Sequence, residues 1–199
     1  MQLKVNGQDV DITLENEKTI GDVLASFEAE AAKNNATTVS IKIDGMPVSA
    51  EEFDEAAKNP IKEDTLIELR VISLAEIRDA LSVSQNNLKS LSEQLLEIPA
   101  KLQSGDDKYA DQIITNLADG IDSFCHTTTL CALFPEEYEK IKFDGKSAGE
   151  FFEDFAPIIA DLEQAMSSKD TVTIGDLCEY EISPRLMSLA ESISKYLGA

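Results

Sequence analysis

The chain has 199 residues, of which 43% are hydrophobic and 28% charged, and its formal net charge at pH 7 is −21. This balance is typical of a globular protein with enough apolar material for a core. Acidic residues outnumber basic ones 15 to seven in residues 1–72 and 23 to ten in the remainder. Such a field repels phosphate backbones and anionic lipid head groups. We therefore expect neither nucleic acid nor a membrane surface among the partners.

No apolar run approaches the roughly 20 residues that span a bilayer, and the opening MQLKVNGQDV lacks the apolar core of a signal peptide. We expect a cytoplasmic protein. Cys125, Cys131 and Cys178 lie within helical patterns, so we expect reduced, buried thiols.

The first third of the chain combines short strand patterns with one helix. Asn6-Gly7 predicts a hairpin turn. The alternating apolar residues of its two strands are Met1, Leu3 and Val5 before the turn and Val10, Ile12 and Leu14 after it. Thr19 and Asp22 resemble a capping box at the start of a four-turn helix that ends near Asn34-Asn35. A strand at 39–43, a short helix between the prolines at 47 and 60, and a last strand at 67–71 follow.

The opening MQLKVNGQDVDITLENEKTIGDVLASF, the Asp44-Gly45 turn and the closing KEDTLIELRV resemble the ubiquitin-like β-grasp superfamily in element order and length. Modifier and sulfur-carrier members of that family act through a free C-terminal Gly-Gly tail. Here Val71-Ile72-Ser73 leads directly into a helical pattern, and the chain ends in Tyr196-Leu197-Gly198-Ala199. The resemblance therefore implies a protein-docking module rather than a modifier or carrier.

The remainder of the chain carries four amphipathic helical patterns. The first has apolar residues at spacings of three and four, with Ser84 at the one polar position: Leu74, Ile77, Leu81, Leu88, Leu91, Leu95, Ile98 and Leu102. Pro99 predicts a kink or end late in this helix. The second helix covers 110–131.

The third helix starts at a Ser147–Glu150 capping box, and its apolar stripe is Phe152, Phe155, Ile159, Leu162 and Met166. The fourth covers 174–197 and contains Pro184, which removes one hydrogen bond. Four helices joined by short loops favour an antiparallel up-down bundle.

These patterns predict an α+β protein, with a ubiquitin-like β-grasp domain over 1–72 and an all-α antiparallel four-helix bundle over 73–199. We call the apolar stripe from Leu74 to Leu102 the Leu74 seam. Its length also predicts a homodimer.

His126 is the single histidine, and it lies about 200° around its helix from the core-facing Phe124, so we expect it to be exposed. Asp122 lies four residues earlier and could pair with it. An exposed histidine on a bundle helix resembles histidine-phosphotransfer domains, which would make His126 the phosphoacceptor. Thr127-Thr128-Thr129 follows it, where such domains have a small or basic residue and glycine.

Other arrangements of reactive residues have simpler explanations. Glu150, Glu153 and Asp154 could be paired carboxylates, but a di-iron bundle site needs Glu-x-x-His motifs, which the chain lacks. Cys125 and His126 diverge by about 100° on a helix, so they form neither a catalytic pair nor a metal site. No G-x-S-x-G or phosphate-binding glycine motif occurs. We expect no enzyme activity, catalytic residues, cofactor or metal.

Two functions remain. The first is a non-catalytic protein-binding adaptor or chaperone, by analogy with the small acidic export chaperones of flagellar and other secretion systems. The second is histidine phosphotransfer through His126 and Asp122.

Overall fold

The protein, described over residues 1–143 and 145–198 by a computed structural model, divides into two compact units. The first covers Met1–Glu76 and holds a five-stranded sheet, and the second begins at Ile77 and is mostly helical. The α+β class predicted from the sequence is confirmed. None of the described helices is long and apolar enough to cross a membrane.

The N-terminal unit is a mixed sheet with one long helix. Its strands and helices are β1 (Gln2–Val5), β2 (Gln8–Val10), α1 (Ile20–Lys33), β3 (Ala36–Ile43), β4 (Met46–Pro47), α2 (Phe53–Ala57) and β5 (Leu66–Ser73). The strand order is β2-β1-β5-β3-β4. β1 and β5 are parallel, and the other neighbouring pairs are antiparallel.

Local chemistry explains where these elements begin and turn. Asn6 and Gly7 have φ angles of 52° and 82°, which suit the tight turn between β1 and β2. At the start of α1, Thr19 Oγ accepts a hydrogen bond from the Asp22 amide, and the Asp22 carboxylate accepts one from the Thr19 amide. Hydrogen bonds from the backbone amides of Lys18 and Thr19 lower the pKa of Asp22. The predicted hairpin turn and capping box are confirmed.

The core of this unit lies between α1 and the central strands. Its buried members are Leu3, Ile20, Val23, Leu24, Ile67 and Leu69. The second strand of the hairpin is shorter than its apolar alternation indicates, because β2 ends at Val10. Ile12 and Leu14 lie beyond the strand and are 37% and 41% exposed.

The second part of the chain contains seven α-helices and one π-helical turn among the described residues. They are α3 (Leu74–Leu95), α4 (Ile98–Gln103), α5 (Asp107–Cys131), α6 (Pro135–Tyr138), α7 (Ala148–Ser168), α8 (Thr171–Asp176), the π turn (Leu177–Ile182) and α9 (Ser183–Gly198).

The predicted helix over 74–102 is interrupted, so this expectation was wrong in its extent. α3 ends at Leu95, and Pro99 lies in the first turn of the separate helix α4. A proline ring clashes with the carbonyl four residues earlier, which here belongs to Leu95, the last residue of α3. The polar position of the seam is buried too, since Ser84 is only 6% exposed.

The last predicted helix is also divided. α8 and α9 are joined by the π turn, and Pro184 is the second residue of α9. The Ser183 amide bonds the Cys178 carbonyl, five residues back, which is the π pattern. A wider turn just before Pro184 accommodates its ring and its missing N–H.

A cluster of phenylalanine side chains packs in the core of the helical unit. Phe124 of α5 packs edge-on against Phe143, with ring centroids 5.5 Å apart, and lies 5.9 Å from Phe152 of α7. Phe155 and Leu162 of the predicted α7 stripe are buried, whereas Phe151 is buried in place of Phe152. The buried face includes Ala165 rather than Met166. The Ser147–Glu150 capping box that starts α7 is confirmed.

α3 and α9 run antiparallel. Ser92 Oγ lies 2.9 Å from the Ser183 carbonyl oxygen, at the end of α3 and the start of α9. Near their other ends, Arg78 donates a hydrogen bond to the Leu197 carbonyl. The seam residues Ile77, Leu81, Leu88 and Leu95 are at most 1% exposed within the chain. The surface on which the homodimer prediction depends is therefore already covered.

Candidate functional site

The N-terminal unit has an open apolar groove between α1 and the segment that follows β2. Its volume is about 470 Å³. Leu3 and Val23, both nearly fully buried, lie at its base. Half-buried Phe27 contributes from α1.

The outer wall is formed by three apolar side chains at alternate positions. Val10, Ile12 and Leu14 are 38%, 37% and 41% exposed, although each lines the groove. An apolar residue that is one-third exposed on one wall of a cleft can bury further area when a partner enters. The sequence assigned these residues to a strand face, because their alternation is also the pattern of a half-buried strand.

Glu17 ties the segment after β2 to α1. Its carboxylate accepts hydrogen bonds from the Ser26 hydroxyl on α1 at 2.8 Å and from the amides of Glu15 and Asn16 at 2.8 and 3.1 Å. These hydrogen bonds, the one from Ser26 first, lower the pKa of Glu17 to about 2. The groove therefore keeps a fixed negative charge at its rim at neutral pH.

The groove is acidic as well as apolar. Glu17 and Glu30 line it, and no lysine or arginine does so among the described residues. Glu30 is paired with Lys33 at 2.7 Å on the surface of α1. The ten residues 8–17 contain four carboxylates, two of them Asp11 and Glu15, and no basic residue. The arrangement suits an apolar segment that carries positive charge.

Comparison with known families assigns the two parts of the chain separately. The family model described as "TP0873 N-terminal domain" matches residues 1–73. The model described as "Domain of unknown function (DUF8042)" matches residues 79–192, more than half of the chain. The chain belongs to the DUF8042 family.

One relative is similar over nearly the whole length of the DUF8042 protein described here. It is an uncharacterized protein of Treponema pallidum (strain Nichols), 26% identical over 193 residues. The match covers 97% of this chain and 96% of that protein. No solved structure matches the chain.

The predicted phosphoacceptor lies within the DUF8042 region. His126 is exposed on α5, as the sequence indicates. Among the described residues no hydrogen bond or ion pair joins it to Asp122. Asp122 instead acts on Cys125, whose pKa is raised by burial first and by this carboxylate second. The structure places the histidine and the aspartate on one helix without a hydrogen bond or ion pair between them.

The remaining candidates behave as structural residues. Burial raises the pKa of the Cys131 thiol to about 11 and that of Cys178 to about 12, so neither is a nucleophile at neutral pH. Cys125, Cys131 and Cys178 are free thiols. Glu150 caps α7, and the Ser147 backbone and side-chain hydrogen bonds lower its pKa. Asp154 pairs with Lys146 on the surface. In the described ranges, no three potential metal ligands lie together.

Proposed function

We propose that this protein is a non-catalytic protein-binding adaptor whose N-terminal unit docks a partner in the apolar groove. The observation that carries the proposal is the exposure of Val10, Ile12 and Leu14 over a groove of about 470 Å³. Apolar clefts with polar rims are typical protein-interaction sites. A cytoplasmic location and a chaperone-like role belong to the same proposal.

The fold assignment that accompanies this proposal has its own support. We propose a ubiquitin-like β-grasp for residues 1–72, supported by the strand order and by a single long helix packed on the central strands. For residues 73–199 we propose an antiparallel four-helix bundle built from α3, α5, α7 and the segment from α8 to α9. Its support is the antiparallel contact of α3 with α9 and the phenylalanine packing of α5 on α7.

The expected occupant is a partner segment that combines large apolar side chains with lysine or arginine. Apolar side chains would cover Ile12, Leu14 and Phe27, and the positive charges would meet Glu17 and the neighbouring carboxylates. Charge complementarity of this kind raises association rates and excludes acidic partners. Because the whole chain has a net charge of −21, a negatively charged partner segment is repelled before it reaches the groove.

NMR with defined peptides tests this proposal. We would titrate the ¹⁵N-labelled full chain with a short amphipathic peptide of leucine and lysine. Two further peptides serve as controls, one with glutamate in place of lysine and one with serine in place of leucine. We expect amide shifts at residues 10–14 and 26–31 with the leucine-lysine peptide, and no saturable shifts there with either control.

A matched variant separates groove binding from general attraction to an acidic surface. Ile12→Ser/Leu14→Ser removes apolar wall area without changing charge, so we expect it to weaken peptide binding about tenfold or more. Val83→Ser removes an exposed apolar residue of α3, 60% exposed, and should leave binding unchanged. Shifts spread over the helical region, or equal binding by the serine-lysine peptide, would contradict the proposal.

Phosphotransfer through His126 is the alternative function, and the exposure of the imidazole is its support. The adaptor proposal expects no phosphoryl group on this residue. Acid-labile phosphate on the full chain after incubation with acetyl phosphate, absent from His126→Ala, would replace the adaptor with a phosphotransfer domain.

A further inference from the structure

The helical unit contains a cavity whose lining is mainly basic, although the protein as a whole is acidic. Its volume is about 570 Å³. Four of its lining residues are basic, out of ten lysines and arginines in residues 73–199. They are Arg78 of α3, Lys140 and Lys142 from the segment after α6, and Lys195 of α9. Glu137 is the one acidic residue among the described lining residues.

Packing does not explain why these charges gather in one place. Like charges that line one cavity repel, and the acidic surface offers many carboxylates as partners elsewhere. Within the described residues, Lys142 and Lys195 make no hydrogen bond or ion pair. Lys195 lies in the last turn of α9, where a cation also complements the helix dipole. Lys142 lies outside any helix, so the dipole does not account for it, and its charge acts on the Glu150 carboxylate at the start of α7.

The base of the cavity is held in place before any ligand binds. The Arg78 guanidinium stacks 4.9 Å from the ring centroid of Tyr196 and donates a hydrogen bond to the Leu197 carbonyl at 3.1 Å. Tyr196 is 8% exposed, and its hydroxyl donates to Glu137 at 3.0 Å. A charged group fixed in this way loses little conformational entropy when it contacts a ligand.

Glu137 is ionised and partly neutralises the cavity. Its carboxylate accepts hydrogen bonds from Lys140 at 2.5 Å and from Tyr196, and these contacts, with Lys140 first, lower its pKa. Four cations against one carboxylate leave an excess of three positive charges among the described lining residues. A ligand that balances this excess carries more than one negative charge.

We propose that this cavity binds a small phosphorylated molecule, with its phosphate on Lys142, Lys195 and Arg78. A phosphate monoester carries about −1.5 to −2 charges at pH 7 and offers three strong acceptor oxygens. Arginine and lysine are the side chains that recognise such groups. The cavity is larger than a phosphate ion needs, and its volume is that of a site for an organic ligand of moderate size. This site lies in the helical unit and is independent of the docking groove.

Calorimetric titration of the full chain at low salt tests the proposal, with inorganic pyrophosphate as the phosphate probe and citrate as a carboxylate probe of similar charge. We expect saturable binding of pyrophosphate and at least about tenfold weaker binding of citrate. Absence of pyrophosphate binding would overturn the proposal. Equal affinity for the two anions would overturn the preference for phosphate.

Variants that remove positive or negative charge from the cavity test whether pyrophosphate binds there. Lys142→Gln/Lys195→Gln should weaken pyrophosphate binding about tenfold or more, since each lost contact is charge-assisted. Glu137→Gln removes the repelling carboxylate and should tighten binding several-fold. The control Lys89→Gln/Lys108→Gln makes the same charge change on exposed residues outside the cavity, and it should alter affinity less than about twofold.

Circular dichroism of each variant checks that it is folded. If the double lysine variant does not fold, Lys142→Gln alone and Glu137→Gln still have opposite expected effects. An equal loss in the cavity and control pairs would overturn the assignment of the site, as would weaker binding in Glu137→Gln.

Discussion

A pair of buried serines forms hydrogen bonds between two helices that are distant in sequence. Ser92 of α3 and Ser183 of α9 are 1% and 3% exposed. Each hydroxyl lies 2.9 Å from the other residue's carbonyl oxygen, and the two hydroxyl oxygens are 3.0 Å apart. Buried hydroxyls are tolerated only when they are paired in this way. The contact therefore fixes the register of α9 along α3.

We expect Ser92→Ala to lower the free energy of unfolding by about 1 kcal/mol, because the Ser183 hydroxyl and carbonyl each lose a partner. Ser90→Ala on the exposed face of the same helix is the control. It makes the same change in helix propensity without removing a buried contact. Urea unfolding followed by circular dichroism measures both variants, and an equal loss in the two would contradict a structural role for the serine pair.

At the level of elements, Gly120 allows α5 to approach α3 closely. A Cβ on Gly120 of α5 would lie 2.7 Å from Cδ1 of Leu91, a buried residue of α3. A Cβ on Gly149, near the start of α7, would meet nothing within 4 Å. Both residues are helical, so alanine gains helix propensity at either position.

We expect Gly149→Ala to stabilise the protein by about 0.5–1 kcal/mol through this gain in propensity. Gly120→Ala gains the same term, but its Cβ displaces Leu91 Cδ1, the end of a side chain that can rotate, and leaving a preferred rotamer costs about 0.5–1.5 kcal/mol. The alanine at 120 should therefore be the less stable variant, by about 1 kcal/mol. Thermal unfolding of the two variants in parallel decides this, and equal stabilisation by both would show that α5 does not approach α3 so closely.

The sequence predicted the ends of several elements correctly because those ends depend on neighbours within four residues. The Asn6-Gly7 turn and the capping boxes at Thr19 and Ser147 are of this kind. Local patterns did not predict the end of α3 at Leu95. Pro99 indicates a break without saying whether the helix bends through the proline or stops four residues before it.

For the whole molecule, the net charge and the burial of the α3 seam both affect whether copies of the chain associate. The apolar seam of α3 is buried inside the chain, with Ile77 and Leu88 1% exposed. The net charge of −21 adds repulsion between copies. Outside the groove, the exposed large apolar residues include Met46 in the N-terminal unit and Val172 in the helical unit.

We expect a monomer, with a light-scattering mass near 21.8 kDa that does not change with protein concentration. The measurement is made at low salt and again at about 0.15 M, where the Debye length falls to about 8 Å. A mass of about twice the monomer value in both conditions would show that a surface other than the α3 seam forms a dimer. A dimer at the higher salt alone would show that charge, rather than burial of the seam, keeps the copies apart.

By itself the sequence determined the α+β class and the acidic character of both parts of the chain. It also located the caps and turns that start individual elements. Each of these depends on composition or on residues close in sequence, so no tertiary contact is needed to infer it.

The tertiary structure alone decided which residues meet. The alternation of Val10, Ile12 and Leu14 indicates a strand face, and only the position of α1 turns it into the wall of a groove. Arg78 and Lys195 are more than a hundred residues apart and look like ordinary surface charges in the sequence. They line one cavity because α3 and α9 run antiparallel, and this arrangement is set by packing that no local pattern encodes.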